Sequence, residues 1–411
     1  MGSLFLAGGF AEPTIRRRKF DKSPHSKFRL FDPQLYLASL DKHRCRTAVQ
    51  KLASYPWFGV KKIPKYDSNS STQREWKENA AASLLKAWPG VLQANDAELA
   101  KRAEKAVQFQ LDIGVSAVIA PAPLIASLAQ VSADAANWWD ASINASKHLS
   151  SSVPLLATVA VSDYLFRGEH SNAQLIIDQL LGPLAARRRE LGGVYLVIEQ
   201  SSVDEYSISD RRVVLAMMQL IDRVANTAGL PVVVGPSSLA AVSLLAAGAS
   251  SIATGYYRSL RRIRLADSVD KEGRAYPRFS SSALLGDIGV ERDAALFARS
   301  QLRIALTETP VSNPLLKALT VGSQSRTPTE WEYSPGNVTA AWSHYLWVAK
   351  AKVDELDALT APQRKERVRQ WLNQARRFAE MARATPGFGG SPTEIVHQAA
   401  WEAAFLETFG A

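Results

Sequence analysis

Residues 230–262 read LPVVVGPSSLAAVSLLAAGASSIATGYYRSLRR, and this stretch constrains the fold more than any other. The apolar run Pro231-Val232-Val233-Val234-Gly235 is short enough for a parallel strand buried on both faces. Gly235-Pro236-Ser237-Ser238 breaks it. Residues 239–247 are rich in Ala and Leu and read as a helix, with Gly248 as its stop. Ser251-Ile252-Ala253-Thr254-Gly255 is a second buried strand. Strand, turn, helix, glycine stop and strand make a βαβ unit, whose crossover is right-handed in nearly all folds.

The same alternation runs upstream. Strands are predicted at 28–31, 55–60, 116–119, 153–161 and 194–198. Helices are predicted at 41–54, 75–88, 96–113, 133–149, 172–191 and 209–228, several of them closed by glycine. A (β/α)8 TIM-like barrel fits this pattern best, with an extra C-terminal helical region. A doubly wound open sheet is the runner-up, weakened by the lack of a Gly-x-Gly-x-x-Gly turn after the first strand. The predicted organisation is a basic flexible arm over 1–27, a (β/α)8-like barrel over 28–290 and a helical extension over 291–411. One more strand is expected within 276–285, a helix over 293–306 and an irregular connection over 312–336. Helices then follow at 338–359, 362–384 and 392–409, the last behind the capping box Ser391-Pro392-Thr393-Glu394. Trp342, Tyr345, Trp347, Trp371, Phe378, Trp401 and Phe405 read as core.

The 411 residues carry a formal net charge of +10. Such an excess favours an anionic small molecule or nucleic acid as partner, or serves solubility alone. A protein partner or a homo-oligomer is also open. Cys45 is the single cysteine, which excludes an internal disulfide and a multi-cysteine zinc or iron–sulfur site and suits a reducing cytoplasm. The basic cluster Arg16-Arg17-Arg18-Lys19 follows the apolar start, the reverse of a secretory signal, and no apolar run is long enough to span a membrane. The six histidines lack metal-ligand spacing, so no metal is expected. No Walker loop, Gly-x-Ser-x-Gly elbow or strand-end lysine is present, and no cofactor is indicated.

In a parallel α/β protein, residues just past the strand ends converge on one face. Those residues include Asp32, Asp163, Glu199, Gly235, Ser237, Ser238, Gly255, Tyr256, Arg258 and Arg261. Asp163 and Glu199 end consecutive strands, as a pair of carboxyls doing acid/base or nucleophilic work would; Asp32 is a third candidate, in an Asp-Pro turn. Each acid equally suits a helix cap. Gly235-Pro236-Ser237-Ser238 and Gly255-Tyr256-Tyr257-Arg258, with Ala246-Ala247-Gly248-Ala249 between, resemble the last two βα units of phosphate-binding (β/α)8 barrels. That resemblance covers residues 230–262 and implies phosphate binding by Gly235, Ser237, Ser238, Gly255, Tyr256, Arg258 and Arg261. Pro236 departs from it by removing one N–H, and a Gly-Gly pair is absent.

The function expected is a barrel enzyme, a transferase or hydrolase, acting on a nucleotide, sugar phosphate or nucleic acid by glycosidic or N-glycosidic chemistry. A base-exchanging transglycosylase is one such barrel, but the zinc-binding cysteines of its transfer-RNA version are absent here. The alternative is a non-catalytic barrel scaffold that binds nucleic acid or protein partners in a larger assembly.

Overall fold

The computed structural model describes residues 2–18, 28–41, 43–59, 95–127, 133–167, 173–202, 206–255, 257–269, 275–320, 326–388 and 394–410. The predicted helix over 75–88 and Tyr256 lie outside them.

The centre is a five-stranded parallel sheet in chain order: β3 (Val118–Ile119), β4 (Leu155–Ser162), β5 (Gly193–Glu199), β6 (Val232–Pro236) and β7 (Ser251–Ala253). β4, β5 and β6 are buried along their whole length, as their near-continuous apolar sequences require of strands covered on both faces. Two more strands, β1 (Gly2–Leu6) and β2 (Phe28–Asp32), pair in parallel with each other. β2 lies against the β3 side of the sheet, where Ser116 N–H donates to Arg29 O at 2.8 Å and Arg29 N–H donates to Ser116 Oγ at 2.9 Å.

The assembly is curved. β2 and β5 are three strand positions apart, about 14 Å in a flat sheet. Yet Tyr195 Oη on β5 reaches Asp32 Oδ2 on β2 at 2.8 Å. Side chains standing parallel on a flat sheet do not meet over that distance, so the strands bend into a half-barrel.

The closed eight-stranded barrel expected from the alternation is therefore not formed. Two substitutions in the predicted strand list account for this. Pro56–Phe58 is a single 3-10 turn that ends at Gly59 in the left-handed region (φ 70°), so the described part of the predicted strand, 55–59, is not a strand. Downstream, the segment predicted as one strand is an antiparallel hairpin, β8 (Arg278–Ser281) and β9 (Gly286–Gly289), in a sheet of its own.

Helices α1 (Glu12–Arg18), α2 (Arg46–Ala53), α3 (Asp96–Asp112), α4 (Ala133–His148), α5 (Ala173–Ala186) and α6 (Arg211–Asn226) cover the strands. α6 shows why. Its buried residues Val213, Val214, Met217, Leu220, Ile221 and Val224 recur at helical spacing, and the Asp210 carboxylate caps its start by accepting from Arg212 N–H at 2.8 Å. Residues 2–18, expected in a flexible arm, instead form β1 and α1, because Leu4, Phe5 and Ile15 add apolar surface to the core. Leu239–Leu245, predicted α-helical, winds as a 3-10 helix buried on all sides, with Ser243 Oγ donating back to Ala240 O at 2.7 Å.

The C-terminal part carries α7 (Asn313–Thr320), α8 (Thr339–Asp357), α9 (Ala361–Ala384) and α10 (Gln398–Phe409). α10 begins six residues later than its sequence signal, of which Ser391-Pro392-Thr393 lies outside the described residues; a capping box is formed at the start of α9, between Thr360 and Gln363. A second core gathers Phe279, Ile288, Phe297, Leu302, Leu315 and Trp331 around the hairpin. α8 and α9 bridge the cores: Tyr345 and Trp371 belong to the first, Ala341 and Phe378 to the second. Trp347, expected inside, is exposed. α10 packs on α6, and Trp401 Nε1 donates to Ile208 O at 2.8 Å. Among the described residues no helix is long and apolar enough to cross a membrane.

Candidate active site at the strand ends

Ser162 and Glu199 are register partners at the ends of β4 and β5, so their side chains leave the same face. Ser162 Oγ donates to Glu199 Oε2 at 2.7 Å, and the Leu265 backbone N–H donates to the same carboxylate. Burial pushes the Glu199 carboxyl above its ordinary range. The Ser162 bond opposes that shift, and the neighbouring Asp163 charge adds to it. The chain leaving β7 makes this cover: Ile263 forms a parallel bridge with Glu199, and Gln200 N–H donates to Ile263 O at 2.8 Å.

Asp163 is completely buried. Its Oδ1 accepts from Ser201 N–H at 2.9 Å and Ser201 Oγ at 2.5 Å, and its Oδ2 accepts from Arg167 Nη2 at 2.7 Å. It thus ties the end of β4 to the end of β5 and stands beside Glu199, as the sequence expects. Asp32 lies apart from the pair, deep on the concave face. It accepts from Gln34 N–H at 2.9 Å, Tyr36 Oη at 2.5 Å and Tyr195 Oη at 2.8 Å. Full burial raises Asp32 to about 6, although all three donors favour its charged form. Gln34 is held at φ 51°, in the left-handed region, which aims its N–H back at Asp32.

At the end of β6, Gly235, Ser237 and Ser238 line a small cavity with Gln200, Ile208, Met217 and Trp401. It holds about 360 Å³ of empty space including the part open to solvent; the enclosed part has the size of a water molecule. A Cβ at Gly235 would stand 3.2 Å from Tyr195 Oη and 3.0 Å from Val197 Cγ2, so glycine is what lets the phenol pass. Ser237 spends its donors internally: its N–H on Ala253 O at 2.9 Å and its Oγ on Gly235 O at 2.6 Å. Ser238 lines this cavity and a second one, shared with Tyr206, Ser207, Arg261, Asp287 and Glu394.

The predicted phosphate loop after β7 is internally bonded. Arg261 donates through Nε to Gly255 O at 2.9 Å and through Nη1 to Asp287 at 2.8 Å, and its guanidinium lies over the Tyr345 ring. Arg262 and Arg264 both pair with Asp267. Arg258 opens a 3-10 turn, Arg258–Leu260. No group of three or more His, Cys, Asp or Glu among the described residues is placed to hold a metal ion.

No family model matches this chain, and no curated protein or solved structure matches it significantly.

Two kinds of site residue escape the sequence reading. Gln200 follows Glu199 directly, yet only the structure shows that its Oε1 is buried with no hydrogen-bond partner. Asp287 and Glu394 come from segments read as lying at or beyond the barrel's edge, and nothing in the sequence signals that Asp287 pairs with Arg261 or that Glu394 lines the same cavity. What the arrangement offers chemically is a buried carboxyl, Glu199, whose proton is held more tightly than usual, and, on the opposite face of the strand, a Gln200 amide oxygen without a partner that lines a small opening.

Proposed function

We propose that this half-barrel is an enzyme for a phosphate-bearing substrate, a nucleotide, sugar phosphate or nucleic acid, and that Glu199 is its acid/base group at a glycosidic or N-glycosidic bond. The observation that carries this reading is Gln200. Its side chain is 5 % exposed, its Oε1 has no partner, and it lines the cavity at the ends of β5 and β6, while the raised Glu199 carboxyl stands on the other face of the same strand end. An unsatisfied buried acceptor costs about 1–3 kcal/mol, which a ligand N–H or O–H offsets. The enclosed space admits one small polar group, so a substrate enters edge-first and rests mainly over the mouth. The net charge of +10 gathers anions towards the molecule, and Arg167 is the cation that acts on the Glu199 carboxyl.

The test is mass-spectrometric detection of free base or sugar released from a panel of nucleotides, sugar phosphates and oligonucleotides. Glu199→Gln is expected to abolish release with the fold retained, and Gln200→Leu to raise KM with less effect on kcat. Full turnover by Glu199→Gln overturns the assignment.

One observation favours a second reading, a non-catalytic scaffold that binds nucleic acid or protein. Both oxygens of Asp163 are engaged by Ser201 and Arg167, so only one acid of the pair is placed for chemistry. Ligand binding without turnover, unchanged in Glu199→Gln, is the result that reading expects.

A further inference from the structure

We infer that the surface carrying Tyr206, Arg278, Tyr276 and Tyr333 binds single-stranded nucleic acid by stacking its bases. Tyr206, Tyr276 and Tyr333 are 45 %, 40 % and 41 % exposed, unusual for three large rings in one neighbourhood. Tyr276 and Tyr333 already stack on each other, with centroids 4.5 Å apart and planes 14° from parallel. Their backbones are tied together: Gly336 N–H donates to Ala275 O at 3.0 Å. Two residues after Tyr276, the Arg278 guanidinium lies 5.8 Å from the Tyr206 ring, and Arg262 covers the same ring at 4.6 Å.

Rigid aromatic faces interleaved with guanidinium groups suit unpaired bases joined by phosphates. Every base offers a π-face, and arginine adds cation–π and phosphate contacts. In a duplex those faces are buried in the stack, so the surface selects single strands. Tyr206 also lines the second cavity, with Ser238 and Arg261, so a strand lying on these rings passes beside the strand-end site. This partner assignment goes beyond the catalytic reading and does not need Glu199 to be active.

The experiment is fluorescence anisotropy with a labelled oligothymidylate of about 15 nucleotides, and with a duplex of equal length, at low and moderate salt. The full-length wild-type chain is expected to bind the single strand more tightly than the duplex. Tyr276→Ala with Tyr333→Ala, and separately Tyr206→Ala, are expected to weaken binding about tenfold or more, while the Tyr→Phe versions keep it. These residues are exposed, and unchanged far-UV circular dichroism establishes that each variant is folded. Three results overturn the proposal: no wild-type binding at low salt, undiminished binding by the alanine variants, or equal loss in the phenylalanine variants. Because binding alone is read, Glu199→Gln serves as the control: retained binding with lost turnover separates this surface from the catalytic site.

Discussion

Tyr195 and Asp32 meet across the hollow of the half-barrel, hydroxyl to carboxylate at 2.8 Å, although their strands are not neighbours. The bond holds β2 and β5 at a fixed separation and puts an ionisable group where water does not reach.

The first prediction concerns the pH dependence that this burial creates. Folding raises Asp32 to about 6, while an unfolded chain titrates it near the ordinary value of 3.8. The folded state therefore prefers the protonated acid. Its contribution to stability is complete below about pH 4 and is lost as pH rises through about 6. The loss is of order 3 kcal/mol by neutral pH. Urea denaturation of the wild type and of Asp32→Asn across that range checks it. The wild type is expected to lose stability relative to the variant as pH rises; parallel curves would show that Asp32 is not the titrating group.

His344 predicts the opposite slope in the second core. It is buried between Thr309 Oγ1, at 2.9 Å from Nδ1, and Ser280 O, which accepts from Nε2 at 2.8 Å. Desolvation lowers its pKa from 6.5 to about 4. Stability is complete above about pH 6.5 and falls as pH drops through about 4, by of order 3 kcal/mol. Hydrogen exchange at acidic pH is expected to show β8, β9 and α8 opening before β4 and β5. His344→Gln, which keeps a donor for Ser280, is expected to remove that early opening.

Gly235→Ala is expected to destabilise by about 2 kcal/mol. The added methyl meets Leu196 O at 3.1 Å as well as Tyr195 Oη and Val197, within a strand that has little room to shift. A thermal melt measures it. Little or no change in Tm would mean that β6 relaxes away from Tyr195.

Arg167→Ala is expected to cost about 3 kcal/mol, since it removes the cation facing the buried Asp163 carboxylate. Equilibrium denaturation reads the effect. Asp163→Asn in the same background is expected to recover part of the loss by removing the stranded charge. No recovery would show that Arg167 acts through packing alone.

What the sequence makes legible follows from burial. β4, β5 and β6 are near-continuous apolar runs, dominated by Val, Leu, Ile and Ala, because they are buried along their whole length. α3 is bounded by signals that act locally: Asn95 accepts from Glu98 N–H at 3.0 Å, and Gly114 stands at φ 77°. Closure is not a local property. Tyr55, Trp57 and Phe58 have strand-forming chemistry, but Pro56 turns the chain so that Tyr55 and Trp57 pack on Phe31 and Phe109. The nearness of Asp163 and Glu199 is readable from consecutive strands in register. The saturation of Asp163 by Ser201 and Arg167 is not, nor is the pairing of Arg261 with Asp287, which returns from a different sheet. Strand parity assigns Tyr195 to a face, and it takes the bend of the sheet to tell that this face finds Asp32.

The bridge between Ile263 and Glu199 lays the chain leaving β7 across the top of β5. The end of β5 that carries Glu199 is therefore covered by that segment. The Gln200 cavity is walled instead by Met217 of α6 and Trp401 of α10, two helices of the outer layer. Under the proposed function, an opening of that shape would admit a thin planar edge and turn away a bulky rigid body, so that thickness would be the first property of a substrate to be selected.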